Sequence, residues 1–285
     1  MKKAKPAKPV KASSKVKVIK AKAVNVRTSA PITWCPGCFN FQILAGVSKF
    51  IEEQIKTGKQ REDFALVSGI GCHGKMFDYV NIPGMNALHG RVLPVCLGMK
   101  VAKPHLNVLG FSGDGDAYAE GIEHLVHVAR YNSNIKYLVH NNQVFALTLA
   151  EPSPTTELGY RDKTTPKGVK VHPINPIKLM LSVGATFVAR VYADAEQVKQ
   201  VLEEAIKHKG FAFIEILQPC IIFHPDFGYK QRLYDLQKAG HDKASLKSAM
   251  DKADEFDYNS RTSKIPTGIF YQNENKPVFE ESLRK

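Results

Sequence analysis

Two short runs hold the residues best suited to chemistry: Gly113-Asp114-Gly115 and Asn141-Asn142. Each follows a β-prone stretch, Asn107 to Ser112 and Ile135 to His140, and a helix-like segment separates them. Strand, glycine turn, helix and strand make a βαβ unit of about 30 residues, which sets its two strands parallel and adjacent. Their carboxyl ends then share one edge of the sheet, where open α/β sheets bind ligands. Asp114 ends the first strand and Asn142 the second, so a carboxylate and an amide oxygen can converge. Hard oxygen donors suit Mg²⁺, which keeps some of its waters and bridges to phosphates. The flanking glycines let backbone N–H groups approach a pyrophosphate.

The elements that must position these residues follow from periodicity. From Phe39 to Lys56, apolar residues at Ile43, Val47, Phe50, Ile51 and Ile55 form one helical face, and Gly58 ends it. Phe64 to Ser68 reads as a buried strand before the turn at Gly69-Ile70-Gly71. Val92 to Val101 suits a buried helix, and Ala117 to Arg130 the crossover helix. Glu151 to Pro176 is polar and rich in Pro and Gly, as in a long functional loop. Ile177 to Ser182 begins another helix, and Ala185 to Val191 another strand. Asp194 with Gln197 resembles a capping box for a helix ending near Gly210. Phe211 to Leu217 is strongly β-prone. Strands alternating with helices predict an α/β fold, a mostly parallel sheet with helices on both faces. Beyond residue 225 the pattern weakens to a charged, partly helical extension with an apolar patch from Ile265 to Tyr271.

The five cysteines are Cys35, Cys38, Cys72, Cys96 and Cys220. An odd count without a secretory signal argues against a disulfide framework. Cys35-Pro-Gly-Cys38 precedes a helix, so it reads as a redox dithiol or as half of a metal or cluster site. Cys72 and Cys220 each follow a strand, and in a parallel sheet both strand ends lie on the ligand edge. Cys35, Cys38, Cys72 and Cys220 could thus meet near Asp114. By residue type, four thiolates fit zinc and [4Fe–4S] equally well. Cys96 lies in an apolar segment and suits a buried free thiol.

The chain has 285 residues and a formal net charge of +13. Nine lysines and Arg27 fall within residues 1–30, which contain no acidic residue. The remaining body is nearly balanced. Residues 1–30 are therefore expected to be a disordered basic tail, 31–225 the α/β domain, and 226–285 an extension packing on that domain or on a partner. The tail lacks the apolar core of a signal peptide, and no apolar run reaches the ~18 residues of a membrane span. The expectation is a cytoplasmic protein with no membrane and no nucleic-acid partner.

Gly-Asp-Gly followed by Asn-Asn resembles the pattern of thiamine-diphosphate enzymes. That resemblance implies Mg²⁺ on Asp114, the Asn142 side chain and the main-chain carbonyl of Val144. It also favours a cluster over zinc, because a thiamine site yields electrons that [4Fe–4S] accepts singly and zinc does not. Further motifs occur in order: Trp34-Cys-Pro-Gly-Cys38, Gly69-Ile-Gly-Cys-His73, Leu88-His-Gly-Arg-Val-Leu-Pro94, Ser112-Gly-Asp-Gly-Asp116 and Gln218-Pro-Cys220. Together they are similar to the β subunit of 2-oxoacid:ferredoxin oxidoreductases over residues 31–271. The resemblance implies a [4Fe–4S] cluster on Cys35, Cys38, Cys72 and Cys220. It implies thiamine-diphosphate contacts from Gly71, Cys72, His73, Gly113, Asp114, Gly115, Asp116, Asn142, Leu147 and Thr148. It also implies that His89 and Arg91 lie near the active site, with Lys75 near the substrate entrance.

The activity so implied is coenzyme A-dependent oxidative decarboxylation of a 2-oxo acid, with electrons passed to ferredoxin. No thiamine-activating Glu is recognisable, so an α subunit is expected in a heterodimer or a dimer of heterodimers. Where the family carries Gly-Leu-Thr-x-Gly-Gln, this chain reads Ala146-Leu-Thr-Leu-Ala-Glu151. Two other functions compete for these residues: a non-redox thiamine decarboxylase with structural zinc, and a basic-tailed, zinc-stabilised nucleic-acid-binding module. The second would bind DNA in a strongly salt-dependent way, which the nearly balanced body disfavours.

Overall fold

The computed structural model describes residues 24–225 and 228–284. Its frame is an eight-stranded sheet built from β1 (Phe64–Ser68), β2 (Gly84–Asn86), β3 (Asn107–Gly113), β4 (Ile135–Asn141), β7 (Phe187–Tyr192), β8 (Ala212–Leu217), β9 (Leu233–Asp235) and β10 (Ile265–Gln272). The order is β2-β1-β3-β4-β8-β7-β10-β9. The first six run parallel, and β10 pairs antiparallel to β7. A separate two-stranded piece joins β5 (Val144–Phe145) to β6 (Glu151–Pro152).

Alternation along each strand feeds two cores. In β1, Phe64 and Leu66 join α1 (Asn40–Lys56) and α6 (Ala195–Lys207) on one face. Ala65 and Val67 face the opposite way, toward α3 (Val92–Ala102), α4 (Ile122–Tyr131), α5 (Pro176–Ser182) and α8 (Leu246–Ala253). The single-turn helices α2 (Met76–Tyr79) and α7 (Tyr229–Arg232) lie in the connections before β2 and β9. Strands buried on both faces read as continuous apolar runs, which is why β1 and β8 were legible by composition. Phe50 and Phe64 meet edge-to-face, with ring centroids 6.4 Å apart.

The structure redraws several expected elements. The crossover helix is not continuous: Asp116–Glu120 is a π-helical turn, Gly121 breaks it, and α4 begins at Ile122. A π turn at a strand end is a common device near functional sites. Asp194 caps α6 by accepting from the backbone N–H groups of Glu196 and Gln197, but the reciprocal half of the box does not form. Gln197 instead accepts from the Tyr192 N–H. The patch near residue 265 is a full strand in the sheet. Its Pro266 and left-handed Gly268 hide the β pattern.

The last residues of the expected tail, 24–30, are described and touch the fold. Val26 is fully buried, its N–H donates to Glu52, its carbonyl accepts from the Asn81 N–H, and Arg27 bridges to Val80. Val24 and Val26 alternate over too few residues, just after a lysine-rich run, to give a periodic signal. Residues 1–23, the rest of that expected tail, lie outside the described residues. Among the described residues no helix is long and apolar enough to cross a membrane.

Candidate active site

Strands β1, β3, β4 and β8 end on the same edge, and the conspicuous residues gather there. β3 and β4 pair from Val108↔Ile135 to Gly113↔His140, so the residues that follow them, Asp114 and Asn142, sit side by side. The Asn142 N–H lies 3.5 Å from Asp114 Oδ1. Ser153 and Thr155, delivered by the loop after β6, donate to Asp114 Oδ2 at 2.5 and 3.1 Å. None of these contacts is cationic, although Asp114 is only 1% exposed. Burial pushes its carboxyl up to about 6, against the pull of Ser153 and Thr155. A buried carboxylate with hydroxyl and amide partners alone has no charge to balance its own.

The chain beyond Asn141 doubles back through Gln143, a left-handed residue at φ 63°. Two bonds hold this turn: the Gln143 N–H donates to Asn141 Oδ1 and the Val144 N–H to Asn142 Oδ1, each at 3.1 Å. Thr156 and Tyr229 bond the backbone carbonyl and side chain of Gln143. The turn therefore brings Asp114, the Asn142 amide and the Val144 backbone together.

A cleft of about 80 Å³ opens beside them, lined by Ile70, Gly71, His73, His89, residues 113–116 and residues 144–148. The glycines form a cradle that side chains would fill. A Cβ on Gly113 would stand 2.8 Å from His73 Nδ1, and one on Gly115 would enter the Phe145 ring. Donor types and bare glycine backbone both fit a Mg²⁺-bound pyrophosphate. The volume is far below the roughly 300 Å³ and more of a site enclosing a drug-sized ligand.

Asp116 links two histidines at the cleft wall. His89 Nδ1 is 3.1 Å from one carboxylate oxygen and His73 Nε2 is 3.4 Å from the other, while the Gly90 N–H donates at 2.7 Å. Burial opposes ionisation, yet the contacts from His73 and His89 hold the Asp116 carboxyl well below its usual range. The same carboxylate raises the His89 imidazole above its ordinary value.

Cys35, Cys38, Cys72 and Cys220 gather next to this cleft. Trp34 is buried and its indole N–H donates to the Cys72 carbonyl at 2.7 Å, which ties the Cys35–Cys38 segment to the end of β1. The Gln218 amide reaches Cys38 Sγ at 3.8 Å and its N–H bonds the Asn141 carbonyl. Burial raises the Cys72 thiol to about 11, and the neighbouring Cys38, Cys220 and Cys35 add to the rise. Burial likewise raises Cys38, with Cys220 and Cys35 contributing. Among the described residues, no three His, Cys, Asp or Glu side chains converge as on a single ion. Cys96 is fully buried inside α3, away from this group.

Of the residues singled out by sequence, Gly71, His73, His89, Gly113, Asp114, Gly115, Asp116, Val144, Leu147 and Thr148 line the cleft. Asn142 contacts Asp114 but does not line it. Lys75 and Arg91 are outside the lining. Lys75 bonds Thr33, and Arg91 donates to the carbonyls of Glu120 and Gly90. Sequence reasoning gave no role to Ser153 and Thr155, although they hold Asp114. Their Ser-Pro-Thr run was the available signal.

Comparison with known proteins accords with this arrangement. Residues 69–216 match the family model "Thiamine pyrophosphate enzyme, C-terminal TPP binding domain". Residues 227–285 match the family model for the C-terminal part of the pyruvate ferredoxin oxidoreductase beta subunit. The chain is 39% identical to the 2-oxoacid:ferredoxin oxidoreductase subunit beta of Saccharolobus solfataricus, covering 88% of this chain and 85% of that one. It is 33% identical to the 2-oxoglutarate synthase subunit KorB of Methanocaldococcus jannaschii, over 90% and 92% of the two chains. A solved 2-oxoglutarate:ferredoxin oxidoreductase from Magnetococcus marinus, with 2-oxoglutarate, coenzyme A and succinyl-CoA bound, superposes with a TM-score of 0.84 at 34% identity, over 91% of this chain and 87% of that one. The chain belongs to the family of 2-oxoacid:ferredoxin oxidoreductase β subunits.

Proposed function

We propose that this chain binds thiamine diphosphate, Mg²⁺ and a [4Fe–4S] cluster, and with an α subunit oxidatively decarboxylates a 2-oxo acid to an acyl-CoA. One observation carries the reading: Cys72 and His73 are consecutive, and while His73 lines the Asp114 cleft, Cys72 belongs to the group of four thiols. An electron-accepting centre is thereby set one residue from the cofactor cleft. A cluster is favoured over zinc by the chemistry beside it, since a thiamine site releases electrons that a cluster accepts singly and zinc does not.

Asp114, the Asn142 amide oxygen and the Val144 carbonyl would hold Mg²⁺, with Ser153 and Thr155 fixing the Asp114 carboxylate. The cradle at Gly113 and Gly115 would let backbone N–H groups meet the pyrophosphate. Thiamine diphosphate, when bound, supplies the electron sink for loss of CO₂, and the cluster supplies a one-electron acceptor leading to ferredoxin. His89, with its proton affinity raised by Asp116, stands at the cleft wall, where it could hold a proton for the reaction. Phe145 and Leu147 make that wall apolar. The substrate class follows the relatives, which are named for 2-oxo acids generally and for 2-oxoglutarate.

The test is iron content and visible absorption of anaerobically purified protein, with cysteine variants. Replacing Cys35, Cys38, Cys72 or Cys220 by Ser should strip most of the iron, and Cys96→Ser should leave it in place. A colourless, zinc-loaded wild-type protein would overturn the electron-transfer reading.

A further inference from the structure

Behind the metal end of the site lies a buried ion pair with no role in the reaction proposed above. Arg190 on β7 and Glu215 on β8 face each other across the sheet, and both are fully buried. Arg190 Nε donates to Glu215 Oε2 at 2.7 Å. The guanidinium lies 4.9 Å from the Phe256 ring centre and 5.5 Å from that of Phe270. Neither of its Nη atoms finds a hydrogen-bond partner among the described residues. Hydrophobic replacements of such buried pairs are often neutral or better, so stability alone does not account for this one.

The other Glu215 oxygen points toward the site. It accepts from Asn141 Nδ2 at 2.7 Å and from the Tyr258 hydroxyl at 2.5 Å. An ionised carboxylate only accepts, so Glu215 obliges the Asn141 amide to present its N–H group on that side. Asn141 Oδ1 must then face the opposite way. There it accepts from the Gln143 N–H at 3.1 Å and from the Thr155 hydroxyl at 2.8 Å. The first bond closes the left-handed turn that carries Asn142 and Val144. The second fixes a hydroxyl that also lies 3.1 Å from Asp114 Oδ2. All three proposed Mg²⁺ donors thus depend on which way one amide points.

We infer that Glu215, anchored by Arg190, is a positioning residue for the Mg²⁺ site, acting through the orientation of Asn141. The inference rests on the Mg²⁺–thiamine diphosphate reading above. Without the carboxylate, Asn141 Nδ2 keeps only its 3.3 Å contact to the Tyr258 hydroxyl, which can donate as well as accept, so the amide is held far less firmly against turning over. The Gln143 N–H and the Thr155 hydroxyl then face a donor, and the 141–144 turn loses its lock.

The experiment measures the Mg²⁺ concentration that half-saturates thiamine diphosphate binding, by calorimetry, in the complex with the α subunit. The variants are Asp114→Ala, Glu215→Gln, Asn141→Ser and the Glu215→Gln/Asn141→Ser double variant, and melting temperature is read separately. Glu215→Gln and Asn141→Ser should each raise the Mg²⁺ requirement about 10- to 100-fold, the range for residues that orient metal ligands. The double variant should be no worse than the weaker single, because both act on one link. Additive losses, or a lowered melting temperature with an unchanged Mg²⁺ requirement, would reduce the ion pair to a structural role and overturn the proposal. Should Glu215→Gln fail to assemble, Asn141→Ser carries the test alone, and an unchanged requirement there overturns it. Unaltered binding in Asp114→Ala overturns the metal site itself and this inference with it, whereas loss in Asp114→Ala alone overturns only the inference.

Discussion

The Asp116 carboxylate is the residue whose electrostatics reach furthest, because two imidazoles share it. Its contact raises the proton affinity of His89, so the folded protein holds the His89 proton more tightly than the unfolded chain. The resulting stabilisation is complete below the unfolded value of about 6.5 and fades as pH rises through the folded one. His89→Gln should therefore lower the melting temperature more at about pH 6 than at a pH well above the raised folded value, where the imidazole has lost its proton in both states. An equal loss at both pH values would mean that Asp116 does not hold a His89 proton. At this scale spacing predicted that Asp114 and Asn142 lie together, and the structure sets them side by side. The sequence was silent on Ser153 and Thr155, because hydroxyl residues in a polar loop look like any solvated turn. Lys75 and Arg91 sit outside the cleft lining. A charged residue inside a conspicuous motif draws attention, yet each spends its charge on a local hydroxyl or carbonyl.

Among the elements, the loop after Asn142 departs most from expectation. Leu149 and Ala150 are consecutive left-handed residues, at φ 79° and 82°. Ala150 occupies the position where the resembled pattern has its second glycine. Its N–H bonds the Phe145 carbonyl and its own carbonyl accepts from the Tyr160 hydroxyl, so the conformation is held from both sides. A left-handed residue with a Cβ costs about 1–2 kcal/mol, and glycine's extra freedom in the unfolded chain costs roughly 0.5–1 kcal/mol. Ala150 is buried, so losing its methyl costs about 0.8 kcal/mol and offsets most of the difference between those two effects. Ala150→Gly should consequently change stability by less than about 1 kcal/mol, as read by denaturant titration, and a loss well beyond that would show that this backbone is relaxed with alanine in place. The sequence marked this segment as altered but could not show the strain, which appears only when tertiary bonds force a shape that the residue types resist. The reverse holds for β10, where Pro266 and Gly268 disguised a strand that its neighbour β7 makes inevitable.

For the whole molecule, the governing fact is that the cleft is shallow and its margin apolar. Ile70 and Leu147, which line it, are 40% and 52% exposed, and Leu88 beside His89 is 77% exposed. Doubly wound topology explains why so much of the frame was legible, since strand and helix periods alternate cleanly from Phe64 to Leu217. It says nothing about the second wall of the site, because a surface meant for another chain reads in the sequence as surface. Isolated chain should accordingly bind thiamine diphosphate weakly and fail to reduce a viologen dye with any 2-oxo acid, and adding its α subunit should restore both. Turnover by the chain alone, after gel filtration has removed any partner, would contradict a site shared between two chains.

The small volume of that cleft has a consequence for assembly. A ligand too large for one chain must be clasped between two, and whatever the second chain adds to its affinity the ligand returns, by the same factor, to the grip of the chains on each other. Thiamine diphosphate would then act as an adhesive as well as a reagent. Starving the complex of its vitamin would loosen the quaternary structure, and the enzyme would lose its architecture along with its chemistry, on dilution, in proportion to how little cofactor remained.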